Sequence, residues 1–202
     1  MPETLSTNEA KLQGYFQDVR HFQAIRKELL GLFALPAAEE KQVTTIYQTY
    51  KQPGVSLVAV HIRRGDYLEN TAVNHITLDY YVEAFRRMEK VLRGPKVYLV
   101  FSDDLAWCQQ VLPVTFPQST FLYSSGHSEV TDLMLMSRAD AYIIANSSYS
   151  WFGWYLNPRA YRVHVIAPRQ WFRSSPGTIQ VKDHFILVGP QTRNPHVPCR
   201  VL

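Results

Sequence analysis

Four short polar clusters hold most of the residues in this chain that can do chemistry. "HIRRGD" (61–66) places His61, Arg63, Arg64 and Asp66 within six positions, and "SDD" (102–104) adds two adjacent carboxylates. "SSGHSE" (124–129) and "NSS" (146–148) complete the set, with Asp132 shortly after the third. A guanidinium is permanently charged and forks onto phosphate oxygens, so an arginine here can neutralise a pyrophosphate without a metal. Backbone N–H groups at a helix start attract anions. Ser147 and Ser148 would add hydroxyl donors there, next to the amide of Asn146. Adjacent carboxylates can suggest a metal. However, Asp103-Asp104 lacks the DxD spacing that puts two ligands on one side of an extended turn, and capping of the next helix by Asp103 plus pairing with an arginine is the favoured reading.

Each of these residues also has a purely structural reading. Arg63 and Arg64 can form ion pairs at a strand end with Asp66, Asp103 or Asp104. Side chains alternate across a strand, so one arginine can reach a ligand while the other pairs internally. His61 closes an apolar strand, where a histidine is a hydrogen-bonded core residue, a contact to a nucleobase or ribose, or a general base. Asp132 and the Asn146–Ser148 run can serve as helix caps or first-turn dipole partners. Asn146-Ser147-Ser148 matches a glycosylation sequon, but between buried elements it is not expected to be modified. Arg64-Gly65-Asp66 is an adhesion tripeptide only on an exposed loop, and here it follows directly on a buried strand.

Positioning these groups takes a regular succession of elements. Apolar residues at spacings of three and four predict a helix over 9–34, ended by Pro36, and a second over 37–50 before the turn "KQPG". Strands are expected at 56–62, 96–101, 120–123, 141–145 and 162–167. Helices are expected at 79–92 (with Asp79 capping), 104–112, 129–138 and 148–157. Trp151, Phe152, Trp154 and Tyr155 are read as core. Near-continuous apolar strands alternating with helices imply an α/β fold with a doubly wound, mainly parallel sheet, Rossmann-like, whose ligands sit beyond the strands' carboxyl ends. The four polar clusters all fall at such ends. No GxGxxG or GxxxxGK[ST] fingerprint occurs, which disfavours a NAD site or a P-loop.

Composition bounds the rest. The 202 residues suit one domain, and 46% hydrophobic with 19% charged residues supports a packed core. Twelve Tyr, ten Phe and four Trp are enough to line a cleft as well. A formal charge of +4 fits an anionic ligand. The basic residues are scattered, so no nucleic-acid partner is expected. Cys108 and Cys199 show no metal-ligand spacing. No signal peptide and no apolar run of membrane-spanning length are visible.

Three of these stretches carry a family resemblance: "HIRRGDY" (61–67), "KVYLVFSDDLAWC" (96–108) and "DLMLMSRADAYIIANSSYSWFGWYL" (132–156), with "LQGYFQDVRHF" (12–22) ahead of them. In this order they resemble the α-1,2-fucosyltransferases, glycosyltransferase family 11-like. The resemblance implies the Rossmann-like donor-binding half of a GT-B glycosyltransferase. That half would bind GDP-fucose as donor substrate, with no cofactor and no metal. It would move fucose to the 2-OH of a galactoside glycan by inverting displacement. It further implies Arg63 as the pyrophosphate ligand and His61 and Asp132 as nucleotide contacts. Asn146, Ser147 and Ser148 would face the phosphates or the sugar, and Arg63 and Asp66 would be the catalytic pair. Asp66 and Glu69 are the nearby carboxylates, and the general base stays open. The expected organisation is a helical lead-in (1–54), a GDP-fucose-binding domain (55–190) and a tail (191–202). The family's glycine-rich N-terminal, acceptor-side domain is expected to be absent. The alternative reading is a non-catalytic or truncated GDP-sugar-binding module. For a bacterial protein the expected location is cytoplasmic, or peripheral to a membrane through the acceptor.

Overall fold

In the computed structural model, residues 19–66, 76–171 and 185–189 are described. Six parallel strands form one sheet: β1 (Ser56–Ile62), β2 (Lys96–Ser102), β3 (Phe121–Tyr123), β4 (Ala141–Ile143), β5 (His164–Pro168) and β6 (Phe185–Val188). Their order across the sheet is β3-β2-β1-β4-β5-β6. This is a doubly wound α/β sheet, and the strand order reverses between β1 and β4, where such sheets open a crevice at the carboxyl edge. β1 is buried from Leu57 to Ile62, as expected for a central strand covered on both faces.

Helices α3 (Leu78–Val91) and α4 (Leu105–Thr115) cover one face, and α2 (Ala37–Tyr50), α5 (Glu129–Met136) and α6 (Ser148–Tyr155) cover the other. The spacing of Tyr81, Phe85 and Met88 makes an apolar stripe that α3 buries against β1 and β2, and the Phe85 ring stacks on Phe116 at 4.3 Å. Burying each such side chain contributes roughly 1.5–3 kcal/mol. Val43 of α2 belongs to the same core as Leu57 and Ala59, so residues 37–50 pack into the sheet's second layer. Trp151, Trp154 and Tyr155 are fully buried under that layer.

Several boundaries differ from the sequence expectation. The helix expected over 9–34 is, within the described residues, two 3₁₀ turns (Val19–His21 and Gln23–Ile25) followed by a short helix α1 (Arg26–Leu32). Its periodic apolar stripe has little to pack on, and Ile25 and Leu32 are exposed. Phe22 instead leans on Trp151, Phe152 and Tyr155, while Arg26 donates to the carbonyls of Tyr155 (3.0 Å) and Asn157 (2.7 Å). This docking onto the end of α6 fixes the local backbone in place of a continuous helix. Thr77, not Asp79, occupies the N-cap position of α3, and it makes no side-chain cap bond. Residues 160–162 form a 3₁₀ turn before β5, and β6 was not foreseen because a four-residue apolar run has no periodicity of its own. The first part of the expected helix, Glu69 and the 191–202 tail lie outside the described residues. No described helix is long and apolar enough to cross a membrane.

Candidate functional site

The two arginines after β1 are held by different partners. Arg63 Nη2 and Nε reach Asp66 Oδ1 at 2.8 and 3.0 Å, and Nε lies 3.3 Å from Asp103 Oδ2. Its side chain remains 36% exposed at the rim. Arg64 turns inward. Its Nε donates to Asp104 Oδ2 at 3.1 Å, and its guanidinium lies 3.9 Å from the centre of the Trp107 ring. Both arginines leave one short stretch, yet only Arg63 keeps its head at the crevice.

The carboxylate pair after β2 also divides its work. Asp104, not Asp103, is the N-cap of α4, accepting from the Trp107 N–H at 3.1 Å, so the helix begins one residue later than expected. That N–H and Arg64 hold its carboxyl below the usual carboxylate range. Asp103 accepts the Arg64 backbone N–H at 2.9 Å and braces Arg63. Gly65 sits so close that a Cβ there would lie 2.6 Å from Asp103 Oδ2. The tripeptide Arg64-Gly65-Asp66 is therefore tied into the sheet edge, and its glycine is required by a close approach. Among the described residues no group of three or more His, Cys, Asp or Glu side chains could hold a metal ion.

His61, at the end of β1, is 5% exposed, and its Nδ1 is buried with no hydrogen-bond partner. Burial, reinforced by Arg63, pushes its pKa down to about 3, so the ring is neutral near pH 7. The Tyr81 hydroxyl fixes the strand end by donating to the His61 carbonyl at 3.1 Å. Across the switch point, the His61 ring meets the Tyr149 ring of α6 at 5.5 Å. Tyr149 in turn donates to the Glu129 carbonyl at 2.7 Å, which fastens the first turn of α6 to the first turn of α5.

That link puts Asp132 beside the start of α6. Asp132 Oδ1 accepts from the Ser124 hydroxyl at 2.7 Å, and burial raises its pKa against the opposing effects of Ser124 and His127. Ser128, not Asp132, caps α5 by accepting the Thr131 N–H. Ser147 holds the N-cap position of α6 with extended backbone but makes no side-chain cap bond. The first turn of α6 thus faces the crevice without the usual side-chain oxygen. Asn146 is 4% exposed, and its Nδ2 donates to the Trp171 carbonyl at 3.0 Å. Gly153 lets α6 lie directly on Met136 of α5: a Cβ there would collide with the Met136 side chain.

The structure therefore gathers His61, Arg63, Asp66, Asp132, Ser147 and Ser148 around the carboxyl ends of β1, β3 and β4. Sequence reasoning missed Tyr149, which couples three of these elements, and the role of Gly65. Tyr149 could have been found as the aromatic in the first turn of the helix after "NSS". Gly65 carries no local signal, since its neighbour Asp103 is distant in sequence.

Comparisons with known proteins place the chain in a family. Over 198 aligned residues the chain is 32% identical to the O-antigen biosynthesis glycosyltransferase WbnK of Escherichia coli, covering 89% of this chain and 63% of that one. It is 34% identical over 170 residues to an alpha-1,2-colitosyltransferase of Escherichia coli, covering 79% of this chain and 55% of that one. It thus spans between about half and two thirds of the length of these relatives. Among solved structures, the NodZ alpha-1,6-fucosyltransferase soaked with GDP-fucose is a distant likeness at 16% identity and a TM-score of 0.46, covering 69% of this chain and 60% of that one. The family model described as glycosyl transferase family 11 matches residues 8–176, and on that match, with these relatives, the chain belongs to glycosyl transferase family 11.

Proposed function

We propose that the chain binds GDP-fucose and moves fucose to the 2-hydroxyl of a galactoside. The observation that carries this reading is that Arg63, partly exposed after β1, and the side-chain-uncapped start of α6, after β4, follow adjacent strands, with His61 and Tyr149 in ring contact across the β1/β4 switch point. Arg63 already pairs with Asp66 and Asp103, so in this reading a pyrophosphate competes with those carboxylates for the guanidinium, and the α6 N–H groups add positive potential. The half-buried Asp132 on the adjacent helix is suited to accept from N–H groups of a guanine base. The relative named for α-1,2 colitosyl transfer supports the α-1,2 linkage.

In the proposed reaction the acceptor oxygen attacks C1 of the fucose from the side opposite the pyrophosphate. The C1–O bond breaks, GDP leaves with the electron pair, and the acceptor's proton is released. Arg63 and the α6 N–H groups stabilise the negative charge that grows on the leaving phosphate. Asp66, bonded to Arg63 through two of its nitrogens, sets the direction of the guanidinium. Neutral His61 and the Asn146 amide shape the floor of the crevice.

Incubation with GDP-fucose and a β-galactoside, with product analysis by mass spectrometry, tests the transfer. GDP should raise the melting temperature, by about 2.7 kcal/mol of added stability at a hundredfold excess over Kd. Stabilisation without product would leave a GDP-sugar-binding module. Stabilisation by UDP-sugars but not by GDP would refute the donor assignment.

A further inference from the structure

The carboxyl edge of the sheet carries a second concavity that the donor site does not use. A cavity of about 580 Å³ opens on the other side of the switch point, between the start of α3 and the ends of β5 and β6. Its polar lining includes Asp79, Glu83 and Arg87 of α3, with Thr77 just before it, and Arg169 and Gln170 after β5. Pro168 and Val188 give it an apolar wall. Its volume falls in the range of roughly 300–1,000 Å³ typical of small-molecule sites.

The charges in it balance. Glu83 accepts from Arg86 (2.6 and 2.7 Å) and from Arg87 Nε (2.6 Å), so those guanidiniums are engaged with a carboxylate. The two arginines hold the Glu83 carboxyl at about 2, and it stays an acceptor at any pH of interest. Asp79 and Arg169 are the remaining charged side chains of the lining. Among the described residues the Arg169 guanidinium makes one long bond, 3.5 Å to the Leu187 carbonyl, and its Nε is buried without a partner. A phosphate would meet two carboxylates here, and a cation two guanidiniums. A neutral ligand with many hydroxyls suits forked donors and carboxylate acceptors side by side, and the apolar wall suits its C–H faces.

We infer that this cavity is a saccharide subsite that holds the part of the acceptor glycan beyond the attacking galactoside. The inference rests on the transferase reading above. Neighbouring strands are about 4.8 Å apart, so β5 lies roughly 10 Å from the strand that bears Arg63. That span is covered by a short oligosaccharide whose terminal sugar meets the fucose on the side away from the pyrophosphate at Arg63. The cavity would then select acceptors by their length and their inner sugars.

Calorimetric titration of the full 202-residue chain with a galactose-terminated trisaccharide and with methyl β-galactoside tests this, alongside the GDP-induced melting shift. Asp79→Asn and Arg169→Gln should each weaken trisaccharide binding at least about tenfold, a loss of about 1.4 kcal/mol. Methyl β-galactoside binding and the GDP shift should stay at wild-type level in both variants, with unchanged circular dichroism. Trisaccharide binding within twofold of wild type in both variants overturns the subsite, as does a wild-type chain that does not bind the trisaccharide. If GDP fails to shift the wild type while the variants still lose the trisaccharide, the donor reading falls and the saccharide subsite stands.

Discussion

Gly65→Ala is the sharpest test of how the arginine rim is built. A Cβ at position 65 would lie 2.6 Å from Asp103 Oδ2 and 3.4 Å from Asp103 Cγ. The carboxylate cannot shift freely, because Oδ1 accepts the Arg64 N–H at 2.9 Å and Oδ2 sits 3.3 Å from Arg63 Nε. Relieving the clash therefore breaks one backbone hydrogen bond and one ion pair. Both are partly solvated, so the first contributes about 1 kcal/mol and the second a fraction of that. The expected cost is about 1–2 kcal/mol, a melting-temperature drop of about 2–8 °C for a chain of this size. Removing the obstacle should remove most of the penalty. In an Asp103→Ala background, Gly65→Ala should cost less than about 0.5 kcal/mol. Urea denaturation of the four proteins in the double-mutant cycle measures the coupling directly. The same single variant should weaken GDP binding, because Arg63 loses one of its two carboxylate braces. If the two substitutions simply add, or if Gly65→Ala melts with wild type and keeps full GDP binding, the close approach does not organise the site.

Arg63→Ala should abolish GDP-dependent stabilisation while changing intrinsic stability by about 1 kcal/mol or less, because the pairs it loses are partly solvated; thermal melts with and without GDP separate the two effects. Ser147→Ala should leave the melting temperature nearly unchanged, since its hydroxyl caps nothing, where an N-cap loss usually costs about 1 kcal/mol; GDP affinity measured by calorimetry should still fall. Gly153→Ala should destabilise by about 1–3 kcal/mol in denaturant melts, reversing the usual helical preference for alanine, because the new methyl meets Met136. His61 is held neutral with a pKa of about 3, below its unfolded value near 6.5, so the unfolded chain binds the extra proton between those limits. Its contribution is present above about pH 6.5 and is lost as pH falls toward 3. A wild-type melting curve that declines between pH 6.5 and 4.5, and a flatter one for His61→Leu, are expected; parallel curves would show that His61 is not the group responsible.

The strands were legible because a parallel sheet covered on both faces needs apolar runs such as "LVAV" and "YLVF", and those runs leave few alternatives. Helices were legible where the stripe had a partner, as in α3, and misread where it did not, as in 19–32, where Phe22 and Arg26 dock on α6. The sheet's edge strand β6 escaped notice because its pairing with β5 is a non-local event that four residues do not announce.

The site divides in the same way. The residue types and their positions after successive strands are local facts, so the sequence by itself determined that His61, Arg63, Asp132 and Ser147–Ser148 would gather at one rim. It also determined the family resemblance, since motif order survives without knowledge of contacts. Which aspartate caps and which braces, what Arg64 packs against, and why residue 65 is glycine were decided only in three dimensions. Each depends on Asp103, Asp104 or Trp107, about forty positions away along the chain but adjacent because β1 pairs with β2. Strand pairing converts that separation into contact, and no local propensity encodes it.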